Sequence, residues 1–152
     1  MRGAGALAGR GDLGEGASMS DALHELVEPI RAALPDVALV MAFGSRVHGG
    51  ADADSDLDLA IAGPAKTSPA RLASLAEALA EKAGVPVDLV DLRDEDVAIA
   101  LRHEAMAGRI LFEIDDCVFS ELATRILKEH ADFRISRRPL ENDLVARLSA
   151  HG

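Results

Sequence analysis

Apolar residues recur at helical spacing near the start of the chain: Leu23, Leu26, Val27, Ile30 and Leu34 form one stripe. Ser20 and Asp21 stand before it as side-chain caps for free first-turn amides, and Pro35 stops it. The run Val37–Phe43 then changes the period. It is short, continuous and apolar, which predicts a buried strand. Gly44-Ser45 interrupts it, and a polar stretch lasts to Ser55. Leu57–Ala62 reads as a second strand, closed by Gly63-Pro64. Pro69 opens a helix whose stripe is Leu72, Leu75 and Leu79, with Gly84 as its C-terminal cap. A third strand is expected over Val85–Leu92, a helix from Asp94 or Glu95 to about Ala107, and a fourth strand over Arg109–Ile114. An amphipathic helix follows from about Asp116 to Phe133, then a short one over Leu140–Leu148.

That order predicts an α/β fold of the α+β sandwich kind: a small mixed sheet of about four strands flanked by helices. Residues 1–18 are rich in Gly and Ala with scattered charge and read as a disordered leader, with Met19 a candidate start. Residues 19–152 read as a single domain, with no internal repeat or linker.

The core must be aliphatic, because the 152 residues hold four Phe, no Trp and no Tyr. Net charge is −10, which repels nucleic-acid backbones and anionic lipid. Non-specific nucleic-acid binding is therefore excluded, and any nucleotide chemistry needs cations. No apolar run reaches the ~20 residues of a membrane span, and no signal peptide is visible. The single Cys117 rules out an internal disulfide, which suits a cytoplasmic protein.

The chemistry concentrates in Gly44–Ile61, GSRVHGGADADSDLDLAI. Ten residues separate Ser45 from Asp56. Side chains alternate along a strand, so Asp56 and Asp58 share a face, ~6–7 Å apart, while Leu57 and Leu59 face the other way. Such a pair can hold a divalent ion, and magnesium shares oxygen ligands between carboxylates and phosphates. Gly44 permits a tight turn, and backbone amides and the Ser45 hydroxyl can donate to phosphate oxygens. A first helical turn over Arg46–His48 would add positive potential there.

In-line phosphoryl chemistry needs a third acid, and the third strand offers Asp88 and Asp91. They face opposite sides of a strand. Asp88, between Val87 and Leu89, is the expected functional one, because a carboxylate there is costly without a partner. Asp91 is expected to begin the next loop. The competing reading of Asp88 is an exposed residue on an edge strand, and Asp52, Asp54 and Asp56 alone could be a solvated loop. Ser45 can also cap a helix. Cys117 is expected to be buried bulk, and His24, His103, His130 and His151 surface or packing residues; His48 reads as a loop residue, or as a nucleotide contact. Arg134–Arg138 reads as a solvated basic loop, or as a contact for a partner or a phosphate.

Gly44-Ser45, the spacer and Asp56-x-Asp58 resemble the signature of the nucleotidyltransferase superfamily that includes DNA polymerase β. The short chain and the spacer length are similar to its minimal nucleotidyltransferase (MNT) group, and residues 101–113 also resemble that group. The resemblance implies the nucleotidyltransferase fold and AMP transfer from ATP to a hydroxyl with release of pyrophosphate. It implies Mg2+, two ions in all. Asp56, Asp58 and Asp88 would be catalytic and metal-binding, and Gly44, Ser45 and Arg46 nucleotide-binding.

In this group the acceptor is a tyrosine of a HEPN ribonuclease toxin, whose modification blocks it, so the implied role is antitoxin. The implied partners are a HEPN-family toxin and ATP, in a homo- or hetero-oligomer. Two alternatives stand beside it: a small-molecule transferase of the antibiotic-modifying kind, and a non-catalytic antitoxin that works by covering its toxin.

Overall fold

The structure, a computed structural model, describes residues 19–48 and 55–150. The expected leader, residues 1–18, lies outside the described residues, as do residues 49–54.

Four strands form one sheet: β1 (Leu39–Phe43), β2 (Leu57–Ala62), β3 (Val87–Asp91) and β4 (Arg109–Glu113), in the order β3-β2-β1-β4. β1 runs antiparallel to β2 and β4, while β2 and β3 are parallel. The sheet is therefore mixed. β1 is buried along its whole length, as its unbroken apolar run requires.

Helices cover both faces. Leu23 of α1 (Met19–His24), Ile30 of α2 (Val27–Ala33) and Leu26 between them, with Leu75 and Leu79 of α4 (Pro69–Ala83), pack on Val40, Leu57, Leu59 and Ile61. Ala105 of α5 (Ile99–Ala105), with Leu122 and Ile126 of α6 (Val118–Ala150), packs on Leu39, Met41, Phe43 and Ala60. A single turn, α3 (Ser45–His48), follows β1. Among the described residues no helix is long and apolar enough to cross a membrane.

The helix α4 forms as its punctuation demands. Ser68 Oγ accepts from Arg71 N at 3.3 Å, Pro69 sits in the first turn, and Gly84 caps the end at φ 80°. Elsewhere the boundaries moved. The first helix is two pieces, because Pro29 lacks an N–H and its ring opposes the carbonyl four residues back, at Glu25. The apolar stripe survives the break, since all five of its members are buried. The helix expected from Asp94 begins only at Ile99. Asp94 Oδ1 instead accepts from Asp96 N at 2.9 Å, a local turn that competes with helix.

The last two expected helices are one, and Arg134–Arg138 is helical rather than a loop. Three of these five residues are Arg, a good helix former, and nothing among the five forces a break. Cys117 is exposed, not buried.

Candidate active site

The first motif lies where β1 gives way to α3. Gly44 adopts φ +83°, a conformation that favours glycine, and Val47 N donates to Gly44 O at 3.1 Å to close the turn. Phe43 pairs with Asp58 across the sheet, so the second motif arrives beside the first. A β-carbon at position 44 would lie 3.1 Å from Asp58 Cγ and closer still to Oδ2. Glycine is thus needed twice here, for its backbone angle and for the space its missing side chain leaves to the carboxylate. Ser45 is exposed beside it.

Alternation along β2 sends Leu57, Leu59 and Ile61 into the α1, α2 and α4 face and turns Asp58 with Ala60 to the other. Asp56 is exposed just before the strand. Asp58 and Asp88 are register partners on parallel neighbours, about 4.8 Å apart at the backbone. Burial holds the Asp58 carboxyl above the usual carboxylate range, and the charges of Asp88, Glu104 and Asp56 push it the same way. The acids singled out in the sequence therefore feel one another across one face of the sheet.

Glu104 joins them from α5. Strand alternation could not find it, because its position is set by how α5 packs on the sheet. Gly108 allows that packing: a β-carbon there would lie 2.8 Å from Phe43 Cβ and against the Ala42 carbonyl. Arg102 fixes α5 from the other side. It is buried, donates through Nε to Val97 O at 3.0 Å, and makes a two-pronged pair with Glu129 of α6 at 2.9 and 3.2 Å. Beside it the rings of His103 and His130 stack with centroids 3.9 Å apart. Two of the histidines read singly in the sequence are thus a packed pair.

Burial does not single out Asp88, contrary to the expectation from its apolar neighbours. Asp88 is exposed on the edge strand β3, and the buried acid is Asp91, 1% exposed. Its carboxylate accepts from Thr67 N at 2.6 Å and Arg93 N at 2.9 Å. The penalty for a buried carboxylate falls on Asp91, which meets it by pinning two loops, while Asp88 keeps its carboxylate on the open face. Arg46 is buried too, and its Nε donates to Ser55 O at 2.8 Å. It ties α3 to the residue two before β2.

Among the described residues no three His, Cys, Asp or Glu side chains already form a metal cage. The donor set nevertheless suits a hard divalent cation. It consists of carboxylates on one face, with a mutual repulsion at Asp58 that such an ion would relieve. A cavity of about 290 Å3 opens at the opposite end of the sheet, between Leu34, Asp36, Gly63, Lys66 and Arg71, away from these acids.

No curated protein matches the sequence. Solved structures share its fold. The chain is similar to one described as a toxin-antitoxin with AMP-PNP, at 22% identity and TM-score 0.73, over 80% of this chain and 98% of that one. It is also similar to one containing a tri-AMPylated Shewanella oneidensis HEPN toxin with its MNT antitoxin, at 21% identity and TM-score 0.70, over 84% and 99%. A third, a toxin-antitoxin MntA-HepT structure, aligns at 21% identity and TM-score 0.68, over 81% and 97%.

The family profile "Polymerase beta, Nucleotidyltransferase" matches residues 25–117, a span holding the glycine–serine turn and Asp56, Asp58, Asp88, Asp91 and Glu104. With that span covering most of the chain, the protein belongs to the polymerase beta nucleotidyltransferase family.

Proposed function

We propose that the protein is a Mg2+-dependent adenylyltransferase that moves AMP from ATP to a tyrosine hydroxyl of a HEPN-family toxin and so acts as its antitoxin. The observation that carries this reading is the register of Asp58 with Asp88 beside the Gly44 turn, in a chain of the nucleotidyltransferase family. Similarity in fold to toxin–antitoxin structures, one with AMP-PNP and one with an AMPylated HEPN toxin, supports the choice of nucleotide and acceptor.

Gly44 and Ser45 would hold the triphosphate through backbone amides and the Ser45 hydroxyl, with Arg46 stiffening the turn from behind. Asp56, Asp58 and Asp88 would hold Mg2+, which when bound neutralises phosphate charge and acidifies the attacking hydroxyl. In the transfer itself the tyrosine oxygen attacks the α-phosphorus, and the bond from that phosphorus to the oxygen bridging to the β-phosphate breaks. Pyrophosphate leaves, and the tyrosine proton passes to the exposed carboxylate of Asp88.

The test is to incubate the purified protein with α-labelled ATP, Mg2+ and the protein encoded beside it. Label should appear on a tyrosine of that neighbour, and should vanish with Asp56→Ala, Asp58→Ala. Label on an aminoglycoside in place of the neighbour would replace the acceptor but keep the enzyme. No label with any divalent metal would end the reading.

A further inference from the structure

The cavity at the far end of the sheet takes no part in nucleotidyl transfer, yet it is built like a binding site. Its inner wall is apolar, with Leu34, Val37 and Ile61 all buried. Its volume of about 290 Å3 stands at the lower edge of the ~300–1,000 Å3 usual for small-molecule sites. Close-packed folds do not leave such space against apolar side chains unless the walls are held apart. Here they are held. The buried carboxylate of Asp91 accepts from Thr67 N at 2.6 Å, and Arg93 Nε donates to Gly63 O at 2.7 Å, which fixes two of the lining residues. A preformed site of this kind loses little ordering entropy on binding.

Charge at the opening runs against that of the chain. Acidic residues outnumber Lys and Arg by 26 to 16 overall, yet the cavity is lined by Lys66 and Arg71 and by one acid, Asp36. Among the described residues neither cation is fully engaged. Lys66 Nζ lies 3.7 Å from Asp94 Oδ1, too long for a hydrogen bond. Arg71 Nη2 donates to Ala33 O at 2.8 Å, which orients the guanidinium and leaves its other donors for a ligand. Leu34 and Arg71 also line a shallow apolar groove between α2 and α4, kept open by the small side chains of Ala33, Ala70 and Ala78. The apolar surface therefore continues beyond the cavity on the far side of the guanidinium.

We infer that this cavity binds a small amphipathic anion, with a carboxylate or sulfonate head on Lys66 and Arg71 and an apolar body against Leu34, Val37 and Ile61. The acid-bearing face does not compete for such a molecule in the absence of metal, because its carboxylates repel anions. Occupancy of the cavity is independent of which acceptor the nucleotidyl group reaches.

The test is a fluorescence titration of the full chain with 8-anilinonaphthalene-1-sulfonate in EDTA. Saturable binding with Kd of about 10–100 µM is expected. Octanoate should displace the dye, and octanol should do so at least about tenfold less well, because only the carboxylate meets the cations. Lys66→Glu should weaken dye binding at least about tenfold. Ala65→Phe, which adds a ring to the lining, should weaken it by about as much. Both positions are exposed, so the melting temperature should stay near that of the wild type, measured on the same samples. Binding that never saturates would overturn the inference, as would equal dye affinity in the wild type and both variants. Displacement of the dye by AMP-PNP with Mg2+ would also overturn it, and would put the dye at the acid face.

Discussion

The α-carbon of Gly44 lies against the carboxylate of Asp58, so that one residue's missing side chain is the other's space. Substitution therefore acts on both. Gly44→Ala meets a left-handed backbone worth about 1–2 kcal/mol of strain and displaces the carboxylate as well. We expect a stability loss of about 2 kcal/mol by denaturant titration and nucleotidyl transfer reduced at least about tenfold. Wild-type activity in Gly44→Ala would show that the contact is incidental.

Asp58 should trade stability for activity. Its carboxyl is held above the ordinary range by burial and by Asp88, Glu104 and Asp56. The folded chain thus keeps this proton at a pH where the unfolded chain has released it. Its favourable contribution is present below the ordinary carboxylate pKa and is lost as pH rises through the elevated one. At neutral pH without metal, ionised Asp58 is a net cost. Asp58→Asn should raise the melting temperature by about 2–4 °C in EDTA and lower transfer by roughly a hundredfold or more. Mg2+ should raise the melting temperature of the wild type and not of the variant. A destabilised Asp58→Asn would mean that the acids do not oppose one another.

The two acids of β3 should separate cleanly. Asp91→Asn keeps one acceptor where two amides are satisfied now, and should cost about 1–3 kcal/mol. Asp88→Asn touches an exposed side chain and should change stability by less than about 0.5 kcal/mol while abolishing transfer. Thermal melts of both proteins, read beside the labelling assay, decide it. The reverse pattern would make Asp91 the working acid.

The junction of α5 and α6 should be acid-sensitive. The Arg102 hydrogen bonds hold the Glu129 carboxyl below its usual range, so this stabilisation exists above that range and disappears as pH falls through the lowered value. His130 is also held below its usual value, by desolvation first and then by His103 and Arg134. The unfolded chain therefore takes up its proton first as pH drops below about 6.5, and stability declines from there. His130→Gln should flatten the fall in melting temperature between about pH 7 and 5.5. An unchanged slope would assign that loss to other groups.

Strand patterns carried most of this site in the sequence. The unbroken run ending at Phe43 and the alternation of Asp56, Leu57, Asp58 and Leu59 fix which side chains share a face, because a strand's period is two whatever packs on it. Helix starts were less legible. Pro29 was hidden inside a good apolar stripe, and Asp94 looks like a cap whether it begins a helix or folds back on Asp96. Glu104 left no trace, since its place beside Asp58 depends on Gly108 letting α5 close onto β1. Apolar neighbours in the sequence point to burial at Asp88, yet the buried acid is Asp91, because such neighbours do not show which side of an edge strand is covered.

Isothermal calorimetry of a non-hydrolysable ATP analogue, with and without Mg2+, tests most directly whether the carboxylates around Asp58 serve a metal–nucleotide pair. Binding should need Mg2+ and should weaken at least about tenfold in Asp58→Asn and in Asp88→Asn alike. Equal affinity with and without the metal, or full binding in both variants, would contradict it.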